Sequence, residues 1–91
     1  MCTYATVKTK LEGSAKGPAG TGSKWFHVTD GTVYFDHPVH AMAEHTLNID
    51  FTDPSKGPGA RVAVELTAQS ARELVTAIEA ALASAPDALK V

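Results

Sequence analysis

All four histidines of the chain lie between residues 27 and 45, and three of them, His37, His40 and His45, fall within nine residues. Neutral imidazoles suit zinc, copper, nickel and iron, with zinc the first expectation. Three imidazoles around one ion leave a position open for water or substrate, and a metal held that way polarises a bound oxygen or lowers the pKa of a bound water. Glu44, beside His45, is the candidate for a fourth ligand or a catalytic general base. The spacing matches no H-E-x-x-H signature, and Cys2, the single cysteine, cannot make a cysteine-based site. The plain alternative gives each histidine a structural role. His37 then ends a strand ahead of Pro38, His40 is a solvated loop residue, and His45 is hydrogen bonded in a half-buried position.

Strand register is what would bring these side chains together. In residues 32–39 the series Val33, Phe35, His37 shares one face, and in residues 45–52 the series His45, Leu47, Ile49, Phe51 does the same. If residues 38–44 connect neighbouring antiparallel strands, 37 lies opposite 45, 35 opposite 47 and 33 opposite 49. Apolar side chains then meet apolar ones, and two imidazoles stand side by side with Cβ atoms about 5 Å apart. His40 could fold over from the connection as a third ligand. His27 is a weaker candidate, because this register puts it on the other face.

The remaining elements follow from alternation and turn chemistry. Residues 3–11 alternate as a strand with one wet side, and residues 12–23, rich in glycine with Pro18 and two serines, read as a flexible connector. Residues 24–29 and 32–39 flank Asp30-Gly31, the pair favoured in a two-residue type I′ turn, and so predict a hairpin. That hairpin sets Val28 against Val33, Phe26 against Phe35, His27 against Tyr34 and Trp25 against Asp36. Residues 60–67 form another short strand after the Gly57-Pro58-Gly59 turn. Ser70-Ala-Arg-Glu73 reads as a capping box opening a helix to about Ala85. Its apolar stripe is Ala71, Leu74, Val75, Ile78, Ala81, Leu82 and Ala85, with Pro86 beyond. The expected fold is a single α+β domain over residues 1–91: a small, mostly antiparallel sheet with one C-terminal helix packed on its apolar face. The opposite face is expected to carry Tyr4, Trp25, His27 and Tyr34 as an amphipathic aromatic surface open to a second subunit or a ligand.

Composition narrows the function classes. With eight Lys and Arg scattered along the chain and a net charge of −2, no basic stripe is available, so no nucleic-acid partner is expected. No apolar run is long enough to span a membrane, and the N-terminal residues lack the order of a signal peptide, so a cytoplasmic protein without a membrane partner is expected. At 91 residues with no internal disulfide, the core is small and a metal or a homo-oligomer is the expected support. Gly17-Pro-Ala-Gly-Thr-Gly-Ser-Lys24 resembles a phosphate-binding loop only superficially. Ser23 stands where the motif needs lysine, and a strand follows instead of a helix. Cys2 reads as a small residue near the start of the first strand.

The start Met1-Cys-Thr-Tyr4 and the run from Val33 to Phe51, which includes Asp36-His-Pro-Val-His40 and Glu44-His-Thr-Leu-Asn-Ile-Asp-Phe51, resemble a family of short bacterial proteins of unknown function. The resemblance extends through residues 61–67 and the helix, is weakest at 12–23, and implies no activity. Three functional expectations therefore stand. One is a metal-binding protein, conceivably a metalloenzyme, at His37, His40 and His45. Another is a non-catalytic, oligomeric binding or assembly module using the aromatic face. The third is a metal-free acid–base enzyme acting on a small molecule through histidine and Glu44.

Overall fold

The computed structural model describes residues 4–17 and 24–90. Four strands, β1 (Thr6–Lys16), β2 (Trp25–Asp36), β3 (Thr46–Thr52) and β4 (Arg61–Leu66), form one sheet in chain order, every neighbouring pair antiparallel. One helix, α1 (Ala68–Ser84), follows and packs on β3 and β4. The fold is therefore α+β, as the alternation and the helical stripe require. Cys2 and residues 18–23 of the glycine-rich stretch lie outside the described residues.

The Asp30-Gly31 hairpin is not formed. Both residues sit inside β2, which runs unbroken through them, so the chain has one long strand where two were expected. The glycine serves close approach. A Cβ at position 31 would stand 2.8 Å from Leu11 Cδ1 and 3.4 Å from Thr9 Cγ2, both side chains of β1 lying over it. Asp30 is held by Lys10 Nζ at 2.8 Å and by the Thr29 hydroxyl at 2.7 Å, which keep its carboxyl below the usual carboxylate range. The partners of residues 25–28 are consequently in β1: Trp25 pairs with Lys16, Phe26 with Ala15, His27 with Ser14 and Val28 with Gly13.

β1 reaches Lys16, well into the stretch expected to be a connector. A register shift between Lys10 and Gly13 lets Leu11 and Glu12 share one opposing residue, which is how a bulge carries a strand onward with added twist. The hairpin closes where the Gly17 amide donates to the Lys24 carbonyl at 2.8 Å.

Register sets the two faces of the sheet. Val7, Val33, Ile49 and Val64 form one cross-strand row, and Phe35, Leu47 and Leu66 form another beside it, all on the face that meets α1. Tyr34, Asn48 and Glu65 form the corresponding row on the opposite face. β3 passes into β4 through a 3-10 turn at Pro54–Lys56, where the buried Asp53 accepts bonds from the Ser55 amide and hydroxyl at 3.1 and 2.6 Å. Gly57, at φ +88°, supplies the left-handed residue this turn needs.

The helix begins one turn earlier than its expected capping box. Thr67 is the N-cap, and its side chain accepts from the Ser70 amide at 3.1 Å. Ala71, Leu74, Val75 and Ile78 meet Val33, Leu47, Ile49 and Leu66 across an apolar cleft of about 320 Å³. The seat is partial: Val75 is 54 % exposed and Ile78 50 %.

Candidate functional site

The site is built at the end of β2 and β3. Val33 lies opposite Ile49 and Phe35 opposite Leu47, the register expected from the two histidine-containing series. Carried one step further, it sets His37 against His45. Their rings stack with centroids 4.5 Å apart at 30°. The His45 ring also stacks with Phe35, 5.8 Å away and nearly parallel, with Tyr4 tilted against it at 6.5 Å. The imidazole of His45 thus belongs to an aromatic stack at the margin of the apolar face.

Two nitrogens stand out chemically. His45 Nε2 is buried and has no hydrogen-bond partner among the described residues. A buried nitrogen left in that condition costs free energy unless another group uses it. His37 Nδ1 lies 2.9 Å from the carbonyl oxygen of Glu44. A carbonyl only accepts, so Nδ1 is the donor in this contact. That is the arrangement by which a backbone carbonyl orients a metal-ligating imidazole.

His40 goes elsewhere. The connection between β2 and β3 folds over the polar face of the sheet, because the Glu65 carboxylate of β4 accepts three successive amides from it. These are Val39, at a short distance, and His40 and Ala41, each at 3.0 Å. Those bonds, Val39's first and His40's second, hold the Glu65 carboxyl below its ordinary range against the opposing effect of desolvation. His40 therefore lines a depression of about 750 Å³ on the polar face, with His37, Tyr34, Asp50, Arg61 and Glu65, while His45 belongs to the apolar side. Among the described residues, no group of three or more His, Cys, Asp or Glu is placed to hold a metal ion. Glu44 is exposed and meets His37 through its backbone carbonyl.

The expected aromatic surface is dispersed. Tyr4 packs on Phe35 and His45, whereas Tyr34, next to Phe35 in the strand, faces the other way and reaches Asp50 at 3.4 Å. Trp25 and His27 sit on the part of β2 that pairs only with β1.

Sequence reasoning missed the polar network beneath His40. Arg61 donates to Asp50 at 2.8 Å, and burial first, then the Asp50 charge, raises the pKa of the Tyr34 hydroxyl. The side chain of Asp50 is only 17 % exposed. The available signal was the polar half of each alternating series. Once β2, β3 and β4 are aligned, Tyr34, Asn48, Asp50, Arg61 and Glu65 fall on one face.

The fold and site define a small α+β domain, a four-stranded antiparallel meander closed by one helix, with a histidine pair where β2 passes into β3. The chain belongs to the family of unknown function DUF6295, whose model matches residues 1–91. No curated protein matches the chain. No solved structure matches it either.

Proposed function

We propose that the chain is a metal-binding protein, with His37 and His45 contributing Nε2 ligands to a divalent transition metal, zinc first. The observation that carries this reading is the orphaned, buried Nε2 of His45 beside a second imidazole whose Nδ1 donates to the Glu44 carbonyl. Two imidazoles leave the other coordination positions to water or a small anionic ligand, the open geometry that Lewis-acid chemistry needs. We leave His40 out of this ligand set, because Glu65 holds its backbone on the side of the sheet away from His45.

The test is elemental analysis and zinc titration of untagged protein, beside His45→Phe, His37→Ala and His40→Ala. His45→Phe keeps an aromatic ring on Phe35 while removing the nitrogen, so it should fold and lose metal affinity by about tenfold or more. His37→Ala should do the same, and His40→Ala should bind as the wild type does. Failure of the wild type to take up zinc, copper, nickel or iron would end this reading.

A second reading rests on the depression over Tyr34, Asp50 and Arg61: a binding site for a small polar molecule, with His40 available for proton transfer. It predicts ligand-induced stabilisation that survives chelator and disappears in Arg61→Gln.

A further inference from the structure

The regular pairing of β2 with β3 ends at Asp36 and Thr46, and residues 37–45 cross from one strand to the other beyond it. The two ends of this connection are the two imidazoles of the pair, and they are not held alike. His45 stands directly before β3, with its ring against Phe35 at 5.8 Å and Tyr4 at 6.5 Å, neither of which belongs to the connection. His37 is exposed and depends on the backbone that carries it. Its amide donates to the Asp36 carboxylate at 2.7 Å and its Nδ1 to the Glu44 carbonyl at 2.9 Å.

Glu65 reaches the same connection from β4. It lies opposite Asn48 in the register, and its two oxygens divide three amides: Oε2 accepts from Val39, and Oε1 accepts from His40 and Ala41 at 3.0 Å each. Hydrogen bonds to a charged acceptor are roughly twice as strong as neutral ones, and here they fix three consecutive residues. The first of those residues is two positions from His37, with Pro38 between. A proline ring locks φ at about −65° and biases the residue before it towards extended backbone. Little torsional freedom therefore separates the Glu65 clasp from the His37 imidazole.

We propose that Glu65 is a positioning residue for the histidine pair: it holds, from the polar face, the backbone that presents His37 to His45, and metal affinity at the pair depends on it although it is not a ligand. The proposal rests on the metal-binding reading of His37 and His45. An ion bridging two rings needs both nitrogens in place when it arrives. A connection free to swing presents them for only part of the time, and the apparent affinity falls by that fraction. The linkage is reciprocal, so a bound ion draws the connection into its seat.

Zinc affinity of the full, untagged chain, measured by competition with a chromophoric chelator, tests this. Glu65→Gln keeps the length and one acceptor oxygen but loses the charge, and should bind zinc about tenfold more weakly than the wild type. Saturating zinc should then restore amide-exchange protection at residues 39–41 of that variant. A purely structural role for Glu65 would leave those amides the same with zinc as without it, and that result would overturn the proposal. Pro38→Gly leaves the clasp but frees its link to His37, so Glu65→Gln should cost less zinc affinity in that background than in the wild type. Losses that simply multiply would overturn the route through Pro38. If Glu65→Gln does not fold, the wild type decides, because zinc should raise protection at residues 39–41 there too, and unchanged protection would count against the proposal. Zinc bound as tightly by Glu65→Gln as by the wild type would overturn the proposal and leave the metal reading standing. A wild type that takes up no metal would overturn both.

Discussion

The two faces of the sheet invert the usual relation between polarity and burial at β3, though not at β4, where Arg61 and Ala63 on the polar face are exposed. Along β3, Thr46 and Asn48 on the polar face are buried, at 0 % and 5 % exposure, while Leu47 and Ile49, which alternate with them, are only half buried. The polar face is closed by the connection between β2 and β3, drawn down by Glu65, and its buried groups find partners: the Thr46 hydroxyl donates to Asn48 Oδ1 at 2.7 Å. The apolar face is closed only where α1 reaches it. Burial in this chain follows what covers a surface, and over the first residues of β3 a loop held by a carboxylate gathering three amides covers more completely than the helix does on the other side.

The sharpest way to break this comparison is Asn48→Leu. On an open polar face the change would be almost silent. Beneath the closed loop it removes the acceptor of the buried Thr46 hydroxyl and should cost about 1–3 kcal/mol, read as a lower midpoint in urea with an unchanged slope. Thr67→Ala addresses the other face. It removes the side chain that satisfies the first turn of α1 and should cost about 1 kcal/mol, measured by the same titration. A much smaller loss there would mean that the helix contributes little to the folded state.

The parts of the molecule that were legible from sequence are those where two periodic series constrain each other. His37 and His45 meet because Val33 to His37 and His45 to Phe51 can be paired in one way that keeps apolar against apolar, and the register followed from that alone. At Asp30-Gly31 only a local signal was available, and it favoured a turn. The competing cause, Leu11 and Thr9 lying over position 31, involves residues some twenty positions away and a bulge that no alternation announces. The helix cap was misplaced for a related reason. Thr67 and Ser70 both suit an N-cap, and the choice falls to Thr67 because the helix starts directly where β4 ends at Leu66. Where His40 lies depends on the direction of the connection, and that is set by Glu65, which lies 25 residues further along the chain than His40.

The smallest expected effect on global stability, and the most specific, comes from Glu65 itself. Its pKa is depressed in the folded protein because the Val39, His40 and Ala41 amides favour the charged form. A depressed carboxyl contributes its stabilisation fully above the ordinary glutamate pKa and loses it as pH falls through the folded value. The connection should therefore stay seated at neutral pH and loosen on acidification before the sheet unfolds. Amide exchange at residues 39–41, corrected for its intrinsic pH dependence, should lose protection in that acid range, while the β2–β3 ladder amides keep theirs. Glu65→Gln, which keeps the shape and one acceptor oxygen but removes the charge, should show the loosened behaviour already at neutral pH and abolish the acid step. An unchanged acid step in that variant would assign the closing of the polar face to some group other than Glu65.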